Sequence, residues 1–171
     1  RGFDEWLGIP YSNDNGPLHP VTKGIPSLPM FDGEEVVEVD PDQSQFTARF
    51  TARAVSFIER NRDQPFFLYL PHVMPHVPIF ASQKFRGTSA RGLYGDVVQE
   101  LDAGVGEIMA TLKRLGLDEK TLVIFTSKKI EQTVKLTAET VIRKGNTPVT
   151  PAELLAGMRV PDAGRLTLAG Q

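Results

Sequence analysis

The 171-residue chain contains no cysteine, which excludes disulfides, thiolate metal sites and cysteine nucleophiles. It has no apolar run of about 18 residues, so no transmembrane helix is predicted. The formal net charge is only -2, and no block of like charges occurs. Because nucleic acids and acidic membranes attract basic patches, we expect neither as a partner. The oligomeric state is left open.

The chain also lacks the pattern of a signal peptide at its first residues. It opens with Arg1-Gly2-Phe3-Asp4 rather than with Met, a basic region and an apolar core. We therefore expect that a part of the protein precedes residue 1.

Composition changes near residue 128. All 14 aromatic residues lie in residues 1–127, which carry 12 basic and 17 acidic groups, whereas residues 128–171 carry 7 basic and 4 acidic groups. The change predicts two segments of different origin, 1–127 and 128–171. Short β segments are predicted for the second, which is similar only loosely to small β-rich bacterial modules of unknown function.

Two long segments have helical periodicity. Apolar side chains recur at helical spacing in residues 46–61 and again in residues 93–115, and Gly116 is a typical helix terminator. A short strand is predicted from Glu34 to Val39, within a first stretch that is rich in turn-forming residues.

Two short apolar runs, residues 65–70 and 121–126, predict buried strands on either side of the second helix. Strand, helix and strand with short links form a parallel βαβ unit, which places the chain in the α/β class. Ligands of such sheets bind beyond the carboxyl ends of the strands. The pattern therefore predicts a functional edge at Pro71 to Pro78 and from Ser127 onward.

Two of the three histidines, His72 and His76, lie in the first of these loops. Imidazole donates to anions, transfers protons or binds metals. The alternative is that both are ordinary polar loop residues, and spacing alone does not decide between them.

For several polar residues, the sequence favours a structural role over a functional one. Asp14 and Asn15 have cation-binding oxygens, but their position before Gly16 favours turns. The carboxylates of the second helix are expected on its solvated face: Asp96, Glu100 and Asp102.

Four stretches of residues 1–127 resemble the sulfatase family, most closely the arylsulfatase A type. They occur in the family's order: Gly2 to Asp14 (GFDEWLGIPYSND); Pro65 to Leu70 with His72 and His76-Val77-Pro78; Gly92 to Gly106, with YGD, ELD and VG; and Leu122 to Ser127.

The resemblance implies an alkaline-phosphatase-like α/β fold, here with a partial sheet, and the hydrolysis of sulfate esters. Family members use a formylglycine made from Cys or Ser in a C/S-x-P-x-R motif, and a bound Ca²⁺ polarises the sulfate. His76 matches the family's catalytic histidine that contacts sulfate. His72 matches a neighbouring substrate-binding position. The resemblance also implies a periplasmic or secreted location.

Two departures from the family pattern predict that the chain is inactive by itself. It contains neither cysteine nor a Ser-x-Pro-x-Arg motif. Lys128-Lys129 stands where the family has a metal-binding Asp-Asn pair, so Ca²⁺ is not expected to bind and no metal ligand is assigned. Two alternatives remain: a non-catalytic binding or structural protein that reuses part of a sulfatase sheet, and another member of the superfamily, such as a phosphodiesterase or phosphonate hydrolase.

Overall fold

The computed structural model describes residues 2–19 and 21–124, together with the backbone of residues 143–144 and 147–148. Residues 3–120 form one compact unit, and Gly2 with residues 121 onward belongs to a second. No helix in these described ranges is long and apolar enough to cross a membrane.

The first unit contains a small antiparallel sheet in the order β1-β2-β3. Its strands are β1 (Leu7–Gly8), β2 (Pro29–Asp32) and β3 (Glu35–Val39). The predicted strand at 34–39 is therefore confirmed. Gly33 turns the chain between β2 and β3 with a positive φ of 61°, a conformation that costs glycine little.

Both predicted helices are confirmed. Helix α1 spans Phe46–Arg60 and helix α2 spans Gly92–Arg114. A 3-10 turn, Gln43–Gln45, leads into α1, and the Asp42 carboxylate caps it by accepting from the Ser44 N–H at 2.9 Å. Gly116, at φ 66°, lies just beyond the C-terminal end of α2.

The two helices approach closely at Gly104 of α2. A Cβ at that position would lie 2.5 Å from Oγ1 of Thr51 on α1, so only glycine fits without a shift. The core lies between the helices, the sheet and the histidine loop, and it includes seven buried apolar side chains: Leu28, Met30, Phe46, Phe50, Met74, Ala81 and Val97. Because Met74 belongs to this core, the loop that carries the histidines is attached to it.

The strand predicted at residues 65–70 is wrong for this structure. The segment forms no β-strand, and it has no β-partner among the described residues. Its side chains alternate in exposure, with Phe67 at 52% and Tyr69 at 58%. An apolar run predicts burial, but a strand also needs a second segment for its hydrogen bonds.

The second strand of the predicted βαβ unit is not formed by those of its residues that the structure describes. Residues 121–124 are not in a strand, and residues 125–126 lie outside the described residues. The parallel unit is therefore absent from the part of the chain that is described. Helices with a small antiparallel sheet are consistent with part of an α/β fold.

The tail contains one described feature. Strand β4 (Arg143–Lys144) pairs in antiparallel fashion with β5 (Thr147–Pro148). The rest of residues 128–171 lies outside the described residues, so the other short β segments predicted there stay predictions.

Candidate functional site

His76 lies in the loop that follows residues 65–70, with its side chain exposed. Its Nδ1 is 3.1 Å from Oδ1 of Asn13 and 2.7 Å from the carbonyl oxygen of Val77. Both neighbours are acceptors, so Nδ1 carries a proton and donates it. No described residue hydrogen-bonds Nε2. The ring is therefore held through one nitrogen while the other is available to a ligand.

Asn13 is the buried centre of this arrangement, at 1% exposure. Its Nδ2 donates to Oε1 of Gln43 at 3.0 Å and to the carbonyl oxygen of Pro78 at 3.1 Å. Gln43 Nε2 donates back to the carbonyl oxygen of Asn13 at 3.0 Å. These bonds join the first loop, the entry to α1 and the histidine loop. They also assign the Asn13 amide, so that its oxygen faces His76.

The carboxylate of Asp14 lies near the same imidazole. A hydrogen bond from the Ser12 side chain chiefly lowers the pKa of Asp14 below its ordinary value, and a backbone bond, His76 and His19 lower it further. The backbone of this segment forms turns, with the Asn15 N–H donating to Ser12 at 2.9 Å and Gly16 to Asp14 at 2.9 Å. The site is therefore acidic on one side of an exposed imidazole.

No metal centre is formed by the described residues: nowhere in these ranges do three or more His, Cys, Asp or Glu side chains approach closely enough to hold an ion. Lys128 and Lys129 lie outside the described residues. The prediction about Ca²⁺ therefore stays a prediction.

His72 has a different environment. It is half-buried, and its Nδ1 is buried without a hydrogen-bond partner in the described part of the chain. Burial lowers the pKa of His72, which favours the neutral ring. No hydrogen bond joins His72 to the Asn13 network. The structure thus connects His76 to Asn13 and Gln43, and it does not connect His72 to them.

The carboxylates of α2 correct the expectation of a solvated face. Asp96 and Glu100 are buried, at 2% and 4% exposure, whereas Asp102 is exposed as expected. Asp96 accepts from the N–H groups of Gly87 and Ser89, both at 2.8 Å, and Glu100 accepts from Ser82 N at 2.8 Å. The backbone bonds from Gly87 and then Ser89 lower the pKa of Asp96. Both carboxylates hold the loop before α2.

The family comparison covers the part of the chain that contains Asn13, Gln43 and His76. The sulfatase family model matches residues 1–153. The chain belongs to the sulfatase family. This confirms the resemblance found in its four sequence stretches. The match extends past residue 127, and the boundary proposed there stays a prediction.

Curated sulfatases match at moderate identity. Mouse N-acetylgalactosamine-6-sulfatase is 39% identical over 135 residues, which cover 74% of this chain and 26% of the relative. Human arylsulfatase A is 36% identical over 151 residues, covering 80% of this chain and 30% of the relative. Rat steryl-sulfatase is 42% identical over 92 residues, which cover 54% of this chain and 16% of the relative. The chain therefore spans less than a third of the length of these sulfatases.

One solved structure was determined in work on the metabolism of multiple glycosaminoglycans by Bacteroides thetaiotaomicron. The match has 31% sequence identity and a TM-score of 0.45. It covers 68% of the present chain and 22% of the solved chain.

Sequence reasoning missed Asn13 and Gln43. Asn13 lies in a turn-rich stretch, where asparagine usually serves the local backbone. Its hydrogen-bond partners Gln43, His76 and Pro78 are 30, 63 and 65 positions away in the sequence. The one available signal was its place in the GIPYSND stretch that carries the family resemblance.

Proposed function

We propose that this chain is the sulfate-contacting part of a sulfatase catalytic domain, with His76 as the residue that touches the sulfate group. The orientation of its imidazole supports this most directly, because Asn13 and Val77 occupy Nδ1 and leave Nε2 accessible. In the protonated ring, Nε2–H donates a charge-assisted hydrogen bond to a sulfate oxygen. In the neutral ring, Nε2 is a proton acceptor.

His72 is proposed as a second substrate contact. Burial lowers the pKa of His72, so the ring would meet a ligand as a neutral imidazole. Its Nδ1 is buried, so the contact would be made through Nε2, whose N–H would donate to a sulfate oxygen without adding a second charge.

We further propose that the chain does not hydrolyse sulfate esters by itself. It contains no C/S-x-P-x-R motif from which the family nucleophile is made. Lys128 and Lys129 replace the family's Asp-Asn pair, and an ammonium group has no lone pair to offer a metal. Ca²⁺ is coordinated by oxygen, so this pair does not fit it and two positive charges would repel it.

The complete domain is proposed to have the family's alkaline-phosphatase-like α/β fold. Within it, residues 1–127 would contribute the helices and the histidine loop, and residues 128–171 would form a separate segment. A non-catalytic binding role is compatible with the same geometry, because ligand contact requires only His76 and its support.

Two measurements test the proposal. In the first, the full chain is assayed on an aryl sulfate with and without Ca²⁺, beside a protein-free blank and an intact sulfatase. We expect turnover equal to the blank, and metal-dependent turnover above it would contradict the inactivity.

The second measurement is calorimetric titration with an aryl sulfate, using two variants that separate the nitrogens of His76. His76→Asn keeps a donor near Asn13 and removes the nitrogen that faces the ligand, so binding should be lost. His76→Gln can place an amide near the Nε2 position, so binding should be partly retained. Equal binding by both variants and the parent would contradict the role of His76.

A further inference from the structure

Residues 66–70 form a segment whose backbone is unpaired within the described part of the chain. Their exposure alternates with a period of two, because Phe67 and Tyr69 are more than half exposed while Phe66, Leu68 and Leu70 are half-buried. That period is typical of an extended strand. No backbone hydrogen bond between described residues involves residues 66–70, and no described strand pairs with them. The segment therefore has the side-chain pattern of a strand and an open row of backbone donors and acceptors.

The inner face of this segment is attached to the first unit. The ring of Phe66 packs edge-on against Phe57 of α1, with ring centroids 5.7 Å apart, and Leu70 packs against the buried core. On the outer face, Phe67 stacks on Phe3 with centroids 6.0 Å apart, and both rings stay more than half exposed. One face thus holds the segment in place while the other presents aromatic surface.

The segment lacks the features that keep strand edges from pairing with other chains. Natural edges carry charged side chains, prolines or bulges for that purpose. Strand β3, which lies at an edge of its sheet, has Glu35 and Glu38 and an irregular register with β2. Residues 66–70 contain no charged residue, and prolines occur only on either side of them, at Pro65 and Pro71. Short segments of high β-propensity without charge or proline associate with copies of themselves.

Two copies of this segment are complementary when they pair in antiparallel fashion about a two-fold axis at Leu68. Each Phe67 then lies opposite Tyr69 of the second copy, which forms two cross-strand aromatic pairs on the exposed face. On the inner face, Phe66 lies opposite Leu70, and the two Leu68 side chains lie opposite each other. The flanking prolines have no N–H, so they end the ladder after five residues. A two-fold pairing of this kind uses the same surface on both copies and closes on itself.

We propose that residues 66–70 are a self-association site through which two copies of this chain form an antiparallel, strand-paired dimer. The inference is independent of the sulfate contact proposed for His76. The two segments run in opposite directions, so the histidine loops follow opposite ends of a ladder about 17 Å long, and pairing does not bring them together. Because a ladder of five residues is a small interface, the dimer dissociates on dilution.

Sedimentation velocity of the full chain over a range of concentrations tests this, and we expect a reversible monomer–dimer equilibrium. Two charged double variants test the register: Phe67→Lys with Tyr69→Lys, and Phe67→Glu with Tyr69→Glu. Each should weaken dimerisation by at least about tenfold, because like charges would lie opposite each other across the two-fold axis. A one-to-one mixture of the two variants should form a heterodimer, in which opposite charges face each other.

The matched control is Tyr94→Lys with Val98→Lys, which places two lysines at exposed apolar positions of α2, outside the segment. It should leave dimerisation unchanged. A heterodimer in the mixture also shows that both charged variants fold. The inference is overturned if the parent chain sediments as a monomer at every concentration or assembles beyond the dimer. It is equally overturned if the control weakens dimerisation as much as the segment variants do, or if the mixture forms no heterodimer.

Discussion

Asn13 is the residue on which the geometry of the histidine site depends. Its amide serves Gln43, Pro78 and His76 from a fully buried position. Asn13→Ala would remove the donor to Oε1 of Gln43 and to the Pro78 carbonyl and would leave Nδ1 of His76 with the Val77 carbonyl alone. Each buried group left unsatisfied costs about 1–3 kcal/mol. We expect a lower free energy of unfolding and weaker aryl sulfate binding, measured by urea denaturation and calorimetry.

Asn15→Ala is the control for Asn13, because Asn15 is the exposed asparagine of the same turn. Its free energy of unfolding should change by less than about 0.5 kcal/mol. Equal losses in the two variants would contradict the central position of Asn13.

Because His72 is partly buried, we expect the free energy of unfolding to depend on pH. Burial lowers its pKa below the ordinary value of 6.5, so the unfolded chain takes up a proton more readily than the folded one. Its share of the stability is therefore fully present above pH 6.5 and is lost as the pH falls through the folded pKa. His72→Phe should reduce this loss, measured as urea midpoints on either side of pH 6.5. An unchanged pH dependence would contradict the burial of His72.

At the residue scale, the sequence singled out His72 and His76, whose role as site residues stays a prediction, but it did not indicate the partners of His76. A proline-rich loop after an apolar run marked His72 and His76. The partners of His76 could not be predicted because they come from tertiary contacts, and the buried roles of Asp96 and Glu100 were missed because helical spacing does not show what lies against each face.

At the scale of elements, the contact of α1 with α2 depends on one small residue. Gly104→Ala would force its Cβ against Oγ1 of Thr51. We expect a loss of about 1–3 kcal/mol from overpacking, partly offset by the better helix propensity of alanine. The urea midpoint measures it.

Thr51→Ala provides the compensating change, because Oγ1 of Thr51 is buried without a described hydrogen-bond partner. Alone it should cost little, and in the double variant it should restore most of the stability lost by Gly104→Ala. If Gly104→Ala lowers the free energy of unfolding equally with and without Thr51→Ala, the two positions are not in contact.

Asp96 predicts a local effect in the loop before α2. Asp96→Asn keeps one acceptor oxygen and replaces the other with an NH2 group, so one of the two bonds from Gly87 and Ser89 is lost. We expect faster amide exchange at one of these residues and a lower urea midpoint. Asp102→Asn, on the exposed face of the same helix, should change neither. Unchanged amide exchange in the Asp96 variant would show that these two hydrogen bonds do not hold the loop.

Periodicity predicted both helices correctly, whereas the apolar run at residues 65–70 wrongly predicted a strand. A long amphipathic repeat is a property of the segment itself, so α1 and α2 followed from their spacing. Residues 65–70 have the composition of a strand, but β-pairing depends on a second segment, and none of the described residues provides it.

At the scale of the whole molecule, family membership rests on matched sequence over residues 1–153, whereas the inactivity of the chain by itself is our proposal and rests on its lack of a C/S-x-P-x-R motif. The chain spans 26–30% of the N-acetylgalactosamine-6-sulfatase and arylsulfatase A relatives. Composition predicted two segments, and the family match to residue 153 crosses the proposed boundary. A change in aromatic content and charge cannot fix where a domain ends, because contacts define that limit.

Nitrogen NMR of the histidine rings during an aryl sulfate titration tests the role of His76 most directly. We expect Nδ1 of His76 to stay protonated throughout, while its Nε2 signal shifts and saturates with ligand. A titration that saturates without any change at Nε2 of His76, or a His76 ring that carries no proton on Nδ1, would contradict it.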